Sequence, residues 1–125
     1  MIHYLDISLA VQAVPPTDER DHVIAWLASS ELVSSRLSRT EITRTLRREG
    51  RPIDDGDWLV GRTVLVDINR ATHARAEAIE ANIKTLDALH LATAIDLDFT
   101  VTIATRDVRM AEIAQALGLG TTDAR

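Results

Sequence analysis

Thr85-Leu86-Asp87-Ala88-Leu89-His90-Leu91-Ala92-Thr93-Ala94-Ile95-Asp96-Leu97, followed by Thr100-Val101-Thr102-Ile103-Ala104, is the stretch that decides the fold. The first segment is apolar on most sides, the pattern of a helix buried within a protein rather than laid on its surface. The second is short and β-branched, and reads as a strand. A further helix is expected from Asp107 to about residue 117, closed by Gly118. A buried helix feeding a strand that feeds another helix is the repeating unit of a parallel sheet covered on both faces.

The rest of the chain continues this alternation. Residues 2–5 form a short apolar run ending at Asp6, which predicts a buried strand. A short helix is expected over residues 8–14, stopped by Pro15-Pro16. Asp18 is placed to cap the next helix, which carries Val23, Ile24, Trp26 and Leu27 on one side. Residues 32–34 predict a second strand. A helix from Ser38 to about Glu49 buries Ile42 and Leu46 and ends at Gly50. Residues 51–61 are rich in turn formers, residues 64–66 predict a third strand, and residues 69–82 a helix. The fold class is therefore α/β, with a central, mainly parallel β-sheet.

Composition sets the outer limits. A chain of 125 residues suits one domain spanning 1–125. It contains no cysteine, which excludes a disulfide scaffold and any thiolate metal site. The opening has no basic stretch before an apolar one, so no secretory signal is expected. No apolar run nears the roughly 20 residues that span a bilayer, so a cytoplasmic location without a membrane is the expectation. A net charge of −5 argues against a broad nucleic-acid-coating surface but leaves room for a local basic patch.

Four acids carry the chemical signal: Asp6, Glu41, Asp87 and Asp107. Asp6 follows the first strand. Glu41 and Asp107 fall near the starts of helices that follow strands. Asp87 opens a helix that runs into a strand; if the two are antiparallel, the helix begins where the strand ends. All four then meet at the carboxyl edge of the sheet, where open α/β folds bind ligands. Carboxylates brought together repel one another, and a hard divalent cation such as Mg²⁺ or Mn²⁺ relieves that repulsion. Each acid also has a local reading. Ser38-Arg39-Thr40-Glu41 matches a capping box, and Asp6, Asp87 and Asp107 all suit helix starts. From pattern alone both readings stand.

The same residues resemble the motif acids of the PIN-domain family, in particular VapC toxins. Ile2-His3-Tyr4-Leu5-Asp6 resembles its strand-Asp opening, and Ser38-Arg39-Thr40-Glu41-Ile42 its glutamate motif. Leu86-Asp87-Ala88-Leu89-His90-Leu91-Ala92-Thr93-Ala94 is the most specific match. Thr105-Arg106-Asp107 and Ala114-Gln115-Ala116-Leu117-Gly118-Leu119 resemble the closing motif. Ile7 stands where the family often has a hydroxyl residue, which leaves Ser8 to support Asp6, with Thr105 as a second supporting hydroxyl.

The resemblance implies a three-layer α/β/α PIN-like domain and a Mg²⁺- or Mn²⁺-dependent endoribonuclease. Asp6 and Asp87 would be the principal metal ligands, with Glu41 and Asp107 supporting. Metal-activated water would hydrolyse the RNA phosphodiester. A VapB-like antitoxin and a homodimer are the implied partners. The alternative is a catalytically inactive PIN-fold protein-binding module. The stretch from Arg51 to Asn82 is short for the family, which bears on the partner surface.

Arg36 and Arg39 precede Glu41 and are candidates for RNA phosphate contacts. Arg47, Arg48 and Arg51 read as a solvated helix face. His90 is expected to be a packed, hydrogen-bonded histidine. His3, His22 and His73 lack zinc spacing, and Asp54-Gly56-Asp57 lacks the rest of a calcium loop.

Overall fold

A computed structural model describes residues 1–11 and 18–125. The described chain runs β1 (Ile2–Leu5), α1 (Ile7–Val11), α2 (Asp18–Ser29), β2 (Glu31–Ser35) and α3 (Leu37–Arg48). A 3₁₀ turn (Ile53–Gly56), α4 (Asp57–Arg62), β3 (Thr63–Val66) and α5 (Arg70–Glu77) follow. The last part is α6 (Thr85–Ile95), β4 (Thr102–Ala104), α7 (Val108–Ala116) and β5 (Gly120–Thr122).

The five strands form one sheet in the order β3-β2-β1-β4-β5, and every neighbouring pair is parallel. Parallel neighbours need crossover connections, and the helices supply them. Side chains alternate across the strands and sort the core into two layers. Tyr4, Val33 and Ile103 face one way and pack with Leu91, Ala94, Met110 and Ile113 from α6 and α7. Leu5, Leu32 and Ala104 face the other way and pack with Leu9, Val23, Leu27 and Leu59 from α1, α2 and α4. The result is the three-layer α/β/α arrangement.

Helix α6 is buried continuously from Ala88 to Ala94, as its all-round apolar sequence demands. Leu91 at its centre is wholly enclosed. Leu91→Ala is expected to destabilise the fold by about 2–5 kcal/mol through lost burial and the cavity left behind. A urea-denaturation midpoint no lower than that of the parent chain would contradict this packing.

Several boundaries differ from expectation. The turn-rich stretch 51–61 contains the 3₁₀ turn and α4. Gly56 in that turn presses on α3: a Cβ there would come within 2.7 Å of Ile42 Cγ2. The helix expected over 69–82 stops at Glu77 after a capping box built by Asn69 and Thr72. Strand β5 was not expected; Gly118, at φ +88°, turns the chain after α7 and brings it alongside β4. The expected stop at Pro15-Pro16 and the capping side chain of Asp18 lie outside the described residues. Among the described residues, no helix is long and apolar enough to cross a membrane.

Candidate active site

The strand order dictates where a site can form. From β1 the chain moves outward to β2 and β3, then returns to the other side of β1 to lay down β4 and β5. Connections leaving β1 and β4 therefore diverge, and a crevice opens at the carboxyl ends of these two strands. Asp6 is the residue after β1, and its N–H donates to the Ala104 carbonyl at 2.9 Å, which carries the β1–β4 pairing one step further. Asp107 lies just beyond β4, at the cap of α7.

Asp6 is buried, and its charge is met by hydroxyls. Its Oδ2 accepts hydrogen bonds from Ser8 Oγ and from Thr105 Oγ1, each at 2.6 Å. Ser8 Oγ also accepts the Arg106 N–H at 3.1 Å, and Thr105 Oγ1 the Asp107 N–H at 3.0 Å. Ser8 thus supplies the hydroxyl that Ile7 lacks. The two strand ends are tied together around one carboxylate oxygen.

Asp107 realises its capping reading: Oδ1 accepts the Met110 N–H at 3.0 Å. Asp87 lies in the first turn of α6, as its helix-dipole reading expects, while the cap position is Lys84 and carries no side-chain cap bond. Glu41 corrects the local reading most sharply. Helix α3 starts at Leu37, so Glu41 lies beyond its first turn, and the Ser38–Glu41 capping box does not form. Ser38 Oγ instead meets Ser34 Oγ at 2.6 Å, and Glu41 Oε1 meets His90 Nε2 at 2.5 Å.

All four acids line one open pocket of about 390 Å³, together with Ser8, Lys84 and Leu86. Their mutual influence falls on Asp87. Burial raises its carboxyl above the ordinary value of 3.8; the charges of Asp6, Asp107 and Glu41 push it the same way, and His90, when protonated, opposes them. Among the described residues, no group of three or more His, Cys, Asp or Glu side chains is gathered closely enough to hold a metal ion as it stands. In kind the donors suit a hard divalent cation, since four carboxylates and no imidazole line the pocket.

Arg36 and Arg39 are exposed, and neither lines the acidic pocket; Lys84 is the cation that does. Arg51 lies beyond the end of α3, half-buried, and pairs with Asp55 at 2.8 Å and Glu49 at 3.8 Å, so it is not part of a solvated helix face. His3 rests edge-on against Trp26, and His22 bonds the Ala124 carbonyl, so neither joins the acids. Sequence reasoning missed the link from His90 to Glu41, which spans 49 positions. The available signal was a histidine one turn after Asp87 on the same helix.

The model of the PIN domain matches residues 3–116. The chain belongs to the PIN-domain family. Ribonuclease VapC46 of Mycobacterium tuberculosis is 31% identical over 124 residues, covering 93% of this chain and 92% of that protein. This PIN domain is therefore of the VapC type. A solved structure described as FitAB bound to an IR36 DNA fragment contains a chain of the same fold. Its TM-score is 0.63 at 17% identity, covering 99% of this chain and 95% of that one.

Proposed function

We propose that this PIN domain is a divalent-metal-dependent endoribonuclease, the toxin of a VapBC-like toxin–antitoxin pair. The observation that carries the reading is the single pocket lined by Asp6, Glu41, Asp87 and Asp107 at the switch point of the sheet. The name Ribonuclease VapC46 given to a relative that matches nearly end to end supports the same chemistry. A catalytically inactive binding module predicts scattered acids or an incomplete metal site; against it, all four acids are present and line one pocket.

In this reading Asp6 and Asp87 are the principal holders of Mg²⁺ or Mn²⁺, with Glu41 and Asp107 supporting. A bound divalent ion supplies Lewis acidity at the phosphodiester and lowers the pKa of water. The chain's own residues do the rest. Ser8 and Thr105 hold Asp6 by one oxygen, so its orientation is set before any ligand arrives. A pocket carboxylate accepts the proton of the attacking water. Lys84, at the rim, offers a point charge to an RNA phosphate. Arg36 and Arg39, on the exposed surface beside α3, remain proposed contacts for more distant phosphates.

The proposed partner is a VapB-like antitoxin. A groove of about 370 Å³ lies alongside, with Ile7, Ile24, Ile42, Leu46, Trp58 and Leu59 in its wall and Arg20, Glu49, Arg51, Asp54 and Asp55 among them. Ile7 follows Asp6 and Ile42 follows Glu41, so a segment lying in the groove reaches the acids. A basic side chain inserted there would replace the cation's charge and block the site. Residues from the short stretch after Arg51 form part of this wall. A homodimer is proposed from the same resemblance.

Purified protein is expected to cleave single-stranded RNA with Mg²⁺ or Mn²⁺ and to stop when EDTA is added. Cleavage that persists unchanged in EDTA would remove the metal from the proposal. No cleavage of any RNA under metal-replete conditions would favour the binding module.

A further inference from the structure

Behind the acidic pocket lies a buried hydrogen-bonded chain that the cleavage chemistry above does not use. Tyr4 and His90 are both wholly enclosed. Tyr4 sits on β1, two residues before Asp6, and packs in the layer formed with α6 and α7. Its hydroxyl accepts the Ser35 N–H at 3.0 Å and lies 2.7 Å from His90 Nδ1. His90 Nε2 lies 2.5 Å from Glu41 Oε1.

The proton positions in this chain follow from donor counting. A tyrosine phenol carries its proton at neutral pH. The nearby Ser34 and Thr93 hydroxyls spend their protons on the Leu5 and Leu89 carbonyls. The Tyr4 oxygen already accepts from Ser35; a carboxylate at Glu41 can only accept from Nε2, which leaves Nδ1 of a neutral ring to accept the Tyr4 proton. An accepting Nδ1 places the ring proton of a neutral histidine on Nε2, which then donates to Glu41.

Glu41 needs such a partner more than the other acids do. Asp6 is held by two hydroxyls and Asp107 by a helix cap. Glu41 has a longer side chain and projects from within α3, where it would otherwise sample several rotamers. A rigid donor from the buried helix α6 removes that freedom and engages one oxygen, Oε1.

We propose that His90, held in its Nε2–H tautomer between Tyr4 and Glu41, is a positioning residue that fixes the Glu41 carboxylate for a divalent cation. This rests on the carboxylate-site reading given under Proposed function. Outer partners that hydrogen-bond a ligand's other atom are worth about 10–100-fold in metal affinity.

Two substitutions separate positioning from packing. His90→Gln places an amide N–H where Nε2 stood and keeps the donor to Glu41. His90→Asn keeps a group at the Nδ1 position and loses that donor. Mn²⁺ affinity of the metal-free protein is measured by titration calorimetry, with thermal midpoints recorded alongside. His90→Asn is expected to bind Mn²⁺ about 10-fold more weakly or worse, and His90→Gln within about threefold of the parent. A purely structural role would lower both affinities alike, in step with their thermal midpoints.

Long-range ¹H–¹⁵N spectra of the parent protein supply a readout that needs no substitution. They are expected to show the Nε2–H tautomer at His90. A parent protein in the Nδ1–H tautomer overturns the proposal. So does His90→Asn with parent-like Mn²⁺ affinity, and in that case the carboxylate site itself stands. A parent protein that binds no Mn²⁺ overturns the carboxylate site and the positioning role together.

Discussion

Asp6→Asn and Asp87→Asn are each expected to lower RNA cleavage by about 10³-fold while the fold survives. A cation site supplies several kcal/mol of transition-state stabilisation, and about 4 kcal/mol corresponds to that factor. Asn matches Asp in shape, so it changes charge without opening a cavity. At position 6 it keeps an oxygen able to accept from Ser8 and Thr105. At position 87 it interrupts no cap bond, because Asp87 makes none. The loss should therefore appear in cleavage rate with little change in circular dichroism. Asp98→Asn, an exposed acid outside the pocket, is the control and should cleave like the parent. If both pocket variants kept parental rates in Mg²⁺, the assignment of these carboxylates would be wrong.

The parts of this molecule that could be read from sequence are those where local and long-range demands coincide. Ala88 to Ala94 is mostly apolar on every side because that part of α6 is buried all round, and the same helix carries Asp87 to the sheet edge. Asp6 and Asp107 follow strands whose β-branched or apolar character is plain, and parallel neighbours bring their ends together. Ser8 and Thr105 were legible as supports because each lies two residues from a motif acid.

Elsewhere a tertiary partner overrode a local pattern. Ser38 and Glu41 have the spacing of a capping box, but Ser34 claims the serine and His90 claims the glutamate. No periodicity within α3 announces a partner on α6. Strand β5 is three residues, Gly120-Thr121-Thr122, with no alternation of its own; its place is set by the open edge of β4 and the turn at Gly118. Helix α4 was hidden by the turn formers ahead of it. It forms because Leu59 is buried and because Gly56 allows the preceding turn to close against Ile42.

A proton and a metal ion should each relieve the burden that the Asp87 charge places on the folded chain, and they compete for the same carboxylate. Its carboxyl titrates higher in the folded chain than the ordinary value of 3.8, chiefly because burial disfavours the charge, with the neighbouring acids adding to it. The folded state therefore binds this proton more tightly than the unfolded state does. The associated stability is fully present below pH 3.8 and is lost as the pH rises through the raised folded value. At pH 7 without metal, Asp87 is a net burden, and Asp87→Asn should raise the thermal midpoint.

A divalent cation that binds only the folded state reverses this for the parent chain. At a concentration about 100 times its dissociation constant it adds about 2.7 kcal/mol of stability. Asp87→Asn, lacking a principal ligand, should forfeit most of that increment. The ordering of the two proteins thus inverts between EDTA and saturating Mn²⁺. Other carboxylates titrate over the same acid range, so the informative quantity is the difference between parent and variant at each pH, followed by calorimetry. That difference should shrink as the pH falls through the Asp87 titration, because a protonated Asp87 carries no more charge than the asparagine that replaces it. Should Asp87→Asn prove less stable than the parent in EDTA and gain as much from Mn²⁺, the repulsion ascribed to these four carboxylates would not exist.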